Sequence, residues 1–288
     1  MEMSTIGVIG AGIMGRGIAY ATALGGYQVK LMDTSEEVLR QAMEAIHLDV
    51  EEGVRRGKVN QELSLELMGR ITTNSDLAAT AQLSDFIIEA VPEDLELKRN
   101  VFRVLDAEAP AHTVLATNTS AKSITEIAAI TNNPQRVIGM HFFNPVQKMK
   151  LVEVIKGLET SSRTLKLTFD VAEQMGKEPV EIAEFPGFVT TRINAMIGNE
   201  AFYMLMEGVA SAEDIDHALK IGLNHPMGPF ELGDLVGWDT RLENLRYLNE
   251  SLGEKYRPCP LLVQYVKAGR LGRKTGRGVF DYNQGSGD

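Results

Sequence analysis

A Gly-x-Gly-x-x-Gly segment lies close to the start of the chain, between a β-branched run at 5–9 and a helical pattern at 13–24. The segment consists of Gly10, Ala11, Gly12, Ile13, Met14 and Gly15. Between a strand and a helix, the first glycine permits a tight turn, the second lets a phosphate approach the backbone, and the helix N-terminus offers unpaired N–H groups. The segment therefore predicts a dinucleotide-binding turn; the alternative is a purely structural turn.

Asp33 stands at the end of the next predicted strand, 29–32, eighteen residues after Gly15. A carboxylate in this position accepts hydrogen bonds from a ribose and repels a 2′-phosphate. Thr34 and Ser35, which follow it, bring no arginine that could hold such a phosphate. The cofactor predicted from these residues is NAD rather than NADP, unless Asp33 only caps the following helix.

His141 and Glu153 each interrupt an apolar run, at 137–143 and at 151–155. They lie symmetrically about Gln147, so an antiparallel pairing of the two runs around that centre places them opposite each other. A buried carboxylate normally has a polar partner, and beside an imidazole it fixes the tautomer and stabilises the charged ring. The pair predicts a general base for the oxidation of an alcohol; the alternative is a structural hydrogen bond within a hairpin.

Further polar side chains follow the predicted strands at 86–91, 113–117 and 137–143. They are Glu93, Lys98, Asn118, Thr119, Ser120 and Asn144. In a doubly wound sheet, ligands bind beyond the carboxyl ends of the strands. These residues are therefore predicted to surround one site.

The elements that must position these residues change in character along the chain. Up to residue 184, short apolar runs alternate with helical patterns, which predicts an α/β fold with a doubly wound, mainly parallel sheet. After Phe185-Pro186-Gly187 the pattern is helical, with Ile193, Ile197 and Ala201 on one predicted face. The predicted domains are 1–184, which binds the dinucleotide, and 185–288, which is all helical.

The 288 residues carry 29 basic and 39 acidic side chains, a net charge of −10 that argues against binding to nucleic acid. The single cysteine, Cys259, excludes an internal disulfide. No apolar run reaches the roughly 18–20 residues of a membrane span, no targeting leader precedes the first strand, and the histidine spacing indicates no metal site. We therefore expect a cytoplasmic protein without a membrane or nucleic-acid partner.

The sequence closely resembles the L-3-hydroxyacyl-CoA dehydrogenase family, in particular its bacterial members that act on 3-hydroxybutyryl-CoA. The resemblance runs over nearly the whole chain and is carried by several segments together. They are Gly10–Gly15, Asn118-Thr119-Ser120, His141–Pro145, Leu151–Ile155, Pro186-Gly187-Phe188 and Asn224–Leu232.

This resemblance implies a Rossmann-type NAD-binding domain with an inserted helical hairpin, and reversible, NAD-dependent oxidation of a short-chain (S)-3-hydroxyacyl-CoA. His141 would be the acid/base, Glu153 its orienting partner, and Ser120 would hold the substrate oxygen and help to position the nicotinamide. The residues implied on the cofactor side are Glu93, Lys98, Asn118, Ser120, Asn144 and Lys274, of which Asn144 also lines the reaction pocket. The helical domain would form a homodimer and close over the active site.

Thr191 departs from the family pattern. It stands in the segment Pro186–Arg192, at the position where the family commonly carries an asparagine that binds the substrate oxygen. A threonine hydroxyl can donate one hydrogen bond but lacks the reach of an amide. Asn194, three residues further on, lies nearly on the same helical face and is the other candidate for this role.

Coenzyme A is a polyanion, so a chain of charge −10 must bind it through a local basic patch. Arg55-Arg56-Gly57-Lys58 ends the long predicted helix after Asp33, and the resemblance supports this helical hairpin as the site for the CoA. Arg56 and Lys58 are therefore candidates to pair with its phosphates. The alternative is that these cations only complement the helix dipole and stay solvated.

Two other functions remain open on the sequence: a dehydrogenase of free β-hydroxyacids and a non-catalytic dinucleotide-binding protein. The first would be expected to use a lysine in the helix after the domain junction, and residues 187–200 contain none. The second is disfavoured because Ser120, His141 and Glu153 are all present.

Overall fold

The structure of the protein is a computed structural model that describes residues 3–282. The chain folds into two units, Met1–Glu184 and Phe185–Asp288. The outermost residues of the two predicted domains, 1–2 and 283–288, lie outside the described residues.

One eight-stranded sheet organises the first unit. Its strands are β1 (Thr5–Ile9), β2 (Gln28–Met32), β3 (Ile71–Asn74), β4 (Phe86–Glu89), β5 (Val114–Thr117), β6 (Val137–Phe142), β7 (Leu151–Lys156) and β8 (Glu178–Ala183). The strand order is β3-β2-β1-β4-β5-β6-β7-β8, and every neighbouring pair is parallel except β6 and β7. The predicted doubly wound, mainly parallel sheet is thereby confirmed.

Seven helices cover the sheet of the first unit. They are α1 (Ile13–Leu24), α2 (Glu36–Arg55), α3 (Gln61–Arg70), α4 (Leu77–Gln82), α5 (Leu95–Glu108), α6 (Ile124–Ala128) and α7 (Ser162–Gln174), with a short 3-10 segment at Pro134–Arg136. Helix α2 is capped by Ser35, whose side chain accepts the Val38 N–H, and α5 is capped by Asp94, whose side chain accepts the Leu97 N–H. Such N-caps satisfy N–H groups that the helix itself leaves unpaired. Helices α2 and α3 form a hairpin between β2 and β3.

The core of the first unit lies on both faces of the sheet, because successive residues of the central strands, Ile87 and Ile88 of β4 and Leu115 and Ala116 of β5, are all fully buried. Strand β4 is two residues shorter than predicted. Ala90 still donates to the Ile9 carbonyl, but the Val91 N–H donates to the Glu89 carboxylate instead of continuing the ladder. A side chain therefore ends this strand.

Helices form the second unit. They are α8 (Thr190–Met206), α9 (Ala212–Gly222), α10 (Pro229–Val236), α11 (Trp238–Leu252) and α12 (Pro260–Lys267), with 3-10 segments at Glu254–Tyr256 and Arg273–Thr275. Their core contains edge-to-face contacts of Phe202 with Phe230 and with Trp238. The residues predicted to share one face of α8 differ in burial, because Ile193 is 55% exposed while Ala201 is buried. Among residues 3–282, no helix combines the length and apolar character needed to cross a membrane.

Candidate active site

The Gly-x-Gly-x-x-Gly segment forms the turn between β1 and α1. At Gly10 φ is +97°, and a Cβ there would lie 2.7 Å from the Ala90 carbonyl oxygen. A Cβ on Gly15 would lie 1.7 Å from the Gly10 carbonyl oxygen, whereas one on Gly12 would meet no atom of the described residues within 4 Å. Two glycines thus allow the chain to pack closely, and Gly12 leaves open space at the N-terminus of α1. This is the shape that a pyrophosphate requires.

Asp33 lies at the end of β2, beside this turn. One carboxylate oxygen accepts the Ala11 N–H at 2.9 Å, and the other accepts the Ser35 N–H at 3.1 Å. The Asp33 carboxylate is therefore held next to the glycine turn, where the ribose of a bound dinucleotide would lie. Together, the turn and Asp33 fit the pyrophosphate and ribose of NAD.

His141 and Glu153 face each other across β6 and β7. They are directly opposed in the antiparallel register, and the His141 Nδ1 lies 2.8 Å from the Glu153 Oε2. Glu153 is only 1% exposed and His141 8%. The antiparallel pairing predicted from the spacing about Gln147 is confirmed. A buried carboxylate at this distance fixes the orientation of the imidazole ring.

Asn118 connects the carboxyl ends of three strands. Its backbone N–H donates to the Glu89 carbonyl at 2.7 Å, and its side-chain oxygen accepts the Phe142 N–H at 2.8 Å. Asn118 follows β5, Glu89 ends β4, and Phe142 ends β6 next to His141. The structure therefore places this predicted site residue in contact with the residue that follows His141.

Glu93 organises the turn that contains Ser120. Its Oε1 accepts the Ser120 N–H at 3.0 Å and the Ala121 N–H at 3.2 Å, as well as the hydroxyl of Thr119. Burial pushes the pKa of the Glu93 carboxyl upward, but Lys98 and these donors outweigh burial, so the pKa is lowered from its ordinary value. The Glu93 carboxylate therefore holds residues 119–121 in place through these hydrogen bonds.

Lys98 is a buried member of the predicted cofactor side. Its Nζ lies 2.9 and 3.1 Å from the two carboxylate oxygens of Glu89 and 3.3 Å from Glu93 Oε2. Glu89 also accepts the Thr117 hydroxyl at 2.6 Å. Burial raises the pKa of the Glu89 carboxyl, although Lys98 and Thr117 act in the opposite direction. The sequence prediction missed Glu89, which interrupts an apolar run in the same way as Glu153.

Apart from the candidate cations for CoA, the remaining predicted residues are Asn144, which follows β6, and three residues of the second unit. Asn144 is exposed just after β6. Thr191 and Asn194 are half-buried on the first turns of α8. Lys274 belongs to the second unit, where its Nζ donates to Asp239 Oδ2 at 2.6 Å. It is thereby held by an acidic neighbour of its own unit.

Arg56 and Lys58 lie at the exposed end of α2, where the hairpin turns toward α3. Glu52 forms ion pairs with both Arg55 and Arg56. Lys58 forms no ion pair within the described residues. The two candidate cations for CoA therefore differ, since only Lys58 has an uncompensated charge.

Comparison with known proteins identifies the class. Residues 5–185 match the family model described as 3-hydroxyacyl-CoA dehydrogenase, NAD binding domain, and residues 187–282 match the model of the C-terminal domain of the same family. With its doubly wound sheet and glycine turn, the protein is an NAD-dependent dehydrogenase.

Relatives extend the match to the full chain. The chain is 47% identical to a probable 3-hydroxybutyryl-CoA dehydrogenase of Bacillus subtilis, over 99% of each chain. It is 44% identical to a 3-hydroxybutyryl-CoA dehydrogenase of Bradyrhizobium diazoefficiens, over 96% of this chain and 94% of the relative. The crystal structure of (S)-3-hydroxybutyryl-CoA dehydrogenase PaaH1 from Ralstonia eutropha superposes with a TM-score of 0.95 at 39% identity, covering 98% of this chain and 100% of the other. The protein belongs to the 3-hydroxyacyl-CoA dehydrogenase family.

Proposed function

We propose that the protein catalyses the reversible, NAD-dependent oxidation of (S)-3-hydroxybutyryl-CoA, or a similar short-chain (S)-3-hydroxyacyl-CoA, to the 3-ketoacyl-CoA. The observation that carries this proposal is the buried pair of His141 and Glu153, 2.8 Å apart at the carboxyl end of the sheet that bears the glycine turn. The relatives of similar length that are named 3-hydroxybutyryl-CoA dehydrogenases support the choice of substrate.

His141 is the general base in this proposal. Glu153 engages Nδ1, so Nε2 is the ring nitrogen that takes the proton of the substrate hydroxyl as the alcohol is oxidised. The Glu153 carboxylate faces the imidazolium that results and offsets its positive charge. NAD, when bound, supplies the acceptor for the hydride that leaves C3. In the reverse direction, the same imidazolium returns its proton to the ketone oxygen.

Ser120 and Asn144 orient the reacting groups in this proposal. The Ser120 N–H donates to Glu93 at 3.0 Å, and the Ser120 hydroxyl donates to the same oxygen at 3.4 Å. We assign this hydroxyl, on a turn held by Glu93, to the substrate oxygen and the nicotinamide. We assign Glu93, Asn118 and Asn144 to the cofactor side, together with Lys274 of the second unit. Lys98 belongs to the same side through its contact with Glu93.

Thr191 takes the place of a substrate-polarising asparagine in this proposal. Its hydroxyl donates one hydrogen bond to the substrate oxygen, and this bond strengthens as negative charge develops there. Asn194 follows on the same α8 helix and is the alternative donor. Their half-buried positions are compatible with either assignment.

Arg56 and Lys58 bind the CoA phosphates in this proposal. Lys58 is exposed at the end of α2 without an ion pair among the described residues. An unpaired cation on an acidic protein attracts a polyanion locally, and ionic strength weakens that attraction.

The second unit supplies dimerisation and closure over the active site in this proposal. It exposes several large apolar side chains, among them Val209, Ile221, Leu223 and Leu235. Such exposed apolar surface is typical of a protein–protein contact, which supports a homodimer. The protein is assigned to the cytoplasm, with no membrane or nucleic-acid partner.

Spectrophotometric turnover of acetoacetyl-CoA with NADH tests this function. We expect oxidation of NADH with acetoacetyl-CoA and none with free acetoacetate at the same concentration. NADPH in place of NADH should give a much lower kcat/KM, because Asp33 repels a 2′-phosphate. Turnover of the free acid but of no acyl-CoA would contradict the proposal, as would a preference for NADPH.

A further inference from the structure

Two fully buried charges of the first unit lie beneath the candidate site. Glu89 ends β4 and is 0% exposed, and Lys98 on the first turn of α5 is 1% exposed. A buried charge is tolerated only where it is paired and hydrogen-bonded. The acid–base chemistry assigned to His141 makes no use of either group.

Four acceptor oxygens surround the Lys98 ammonium group. They are the two oxygens of Glu89 at 2.9 and 3.1 Å, the Val91 carbonyl at 3.4 Å and Glu93 Oε2 at 3.3 Å. With the side chain buried and its donors engaged, Lys98 is placed to act on its neighbours rather than on a ligand.

Glu93 transmits this arrangement to the ligand-binding edge. Its Oε2 faces Lys98, while its Oε1 accepts the N–H groups of Ser120 and Ala121. One oxygen of the Glu93 carboxylate is therefore fixed by a cation, and the other holds the turn at 119–121. Charge-assisted hydrogen bonds of this kind are stronger than neutral ones.

We propose that Glu89 and Lys98 are positioning residues that act through Glu93 to hold the Ser120 turn in its working conformation. Glu89 sets the place of Lys98, Lys98 fixes the Glu93 carboxylate, and Glu93 fixes the backbone of Ser120 and Ala121. The kinetic part of this proposal rests on the proposed function, since Ser120 is there assigned to the substrate oxygen and the nicotinamide.

The same helix offers a matched control. Asp106, at the other end of α5, forms an ion pair with Arg136 at 3.0 Å, with side chains 4% and 8% exposed. It lies eight residues beyond Lys98, about 12 Å along the helix at ~1.5 Å per residue. Asp106→Asn therefore disturbs a buried ion pair of α5 away from the site.

Amide hydrogen exchange of the full-length protein without ligands is the primary test. In Glu89→Gln, Lys98 loses its anionic partner and draws Glu93 toward itself. Exchange in peptides spanning residues 118–122 should then be about tenfold faster than in the wild type, because local opening becomes easier. Asp106→Asn should leave exchange in these peptides unchanged. Equal rates in the wild type and Glu89→Gln would overturn the proposal, whatever the enzyme turns over.

Two further variants separate positioning from stability. Thr117→Val removes only the hydroxyl that donates to Glu89 at 2.6 Å, and should accelerate exchange at 118–122 by a smaller factor. Glu89→Gln combined with Lys98→Met replaces the charged pair by neutral groups, which is often neutral or stabilising for a buried pair. The double variant should regain Tm relative to Glu89→Gln but keep the fast exchange at 118–122. Recovery of slow exchange in the absence of Lys98 would overturn the proposal.

Kinetics complete the test if acetoacetyl-CoA is turned over. Glu89→Gln and the double variant should both lose about tenfold in kcat, with a smaller change in KM for acetoacetyl-CoA, because Ser120 acts on the reacting oxygen. Asp106→Asn should keep the wild-type kcat. A kcat loss shared equally by Asp106→Asn would reduce the role of Glu89 to stability and overturn the proposal.

Discussion

His141 and Glu153 occupy directly opposed positions on β6 and β7, the one antiparallel pair in a sheet whose other described neighbours are parallel. Antiparallel pairing brings the side chains of opposed residues on one face within reach of each other. The 2.8 Å contact between Nδ1 and Oε2 is therefore a consequence of strand register. A one-residue slip would move Glu153 to the other face of the sheet.

Replacement of Glu153 by glutamine should lower kcat with little change in KM. The amide keeps the shape but loses the charge that stabilises the imidazolium, and a hydrogen bond to a charged group is worth about 1.5–3 kcal/mol. We expect a kcat loss of about tenfold to a hundredfold in acetoacetyl-CoA reduction. Glu181→Gln, on the exposed face of the adjacent β8, should have the wild-type kcat. A Glu153→Gln enzyme with unchanged kcat would leave the pair a purely structural one.

Asp33→Asn should weaken the preference for NADH over NADPH. The asparagine retains one acceptor oxygen for the two N–H groups of Ala11 and Ser35, and it no longer repels a 2′-phosphate. We expect the ratio of kcat/KM for NADPH to that for NADH to rise about tenfold, mainly through KM. Asp76→Asn, which preserves a good N-cap on α4, is the control. An unaltered ratio would remove Asp33 from cofactor selection.

Neutralising the cations at the end of α2 should weaken binding of the CoA moiety. For Arg56→Gln/Lys58→Gln we expect KM for acetoacetyl-CoA to rise about three- to tenfold and to lose its dependence on ionic strength, because exposed charges are screened by salt. KM for NADH should not change. Lys166→Gln, an exposed lysine on α7, should behave as the wild type. If KM and its salt dependence are unaffected, the CoA phosphates are bound elsewhere.

Thr191→Val tests which residue polarises the substrate oxygen. The substitution keeps the volume and removes the hydroxyl. If that hydroxyl acts in the transition state, kcat should fall about tenfold, with KM changed by less than about twofold. Asn194→Ala should then have nearly normal kcat. The opposite outcome, a loss with Asn194→Ala alone, would transfer the role to Asn194.

Asp106→Asn should make stability less sensitive to acid. Burial pushes the pKa of Asp106 upward, but hydrogen bonds from Asn132 and Arg136 and the charge of Arg136 lower it below its ordinary value. The stabilisation by the ionised form is thus present above the unfolded pKa of about 3.9 and is lost as pH falls through the folded pKa. The Tm difference between wild type and variant should shrink from pH 6 to pH 3. A constant difference would show that the charge of Asp106 contributes nothing.

Much of the site was accessible from the sequence because it depends on local spacing. The glycine turn, Asp33 and the opposition of His141 and Glu153 each follow from residues close together along the chain. Glu89, like Glu153, is a carboxylate within an apolar run, but it was not predicted as a site residue. Its partner Lys98 was instead predicted to lie on the cofactor side. The direction of a long, flexible lysine side chain is set by tertiary contacts that spacing does not reveal.

Elements whose burial depends on contacts with neighbouring elements are harder to predict from the sequence. The edge strands β3 and β8 were not predicted, since most of their residues are not buried and they lack a continuous apolar run. Helix α8 carries apolar residues on more than one side. Its buried face includes Ala195 and Phe202, while Ile193 is exposed. Periodicity alone cannot choose between two apolar faces.

The kcat of His141→Ala with acetoacetyl-CoA and NADH tests the central claim most directly. General acid–base catalysis by a positioned side chain contributes about 10²–10⁴-fold. We predict a loss of that size in kcat, with the Kd for NADH, measured by fluorescence titration, within about twofold of the wild type because His141 is remote from the glycine turn in the strand order. A His141→Ala enzyme that reduces acetoacetyl-CoA with the wild-type kcat would contradict the account.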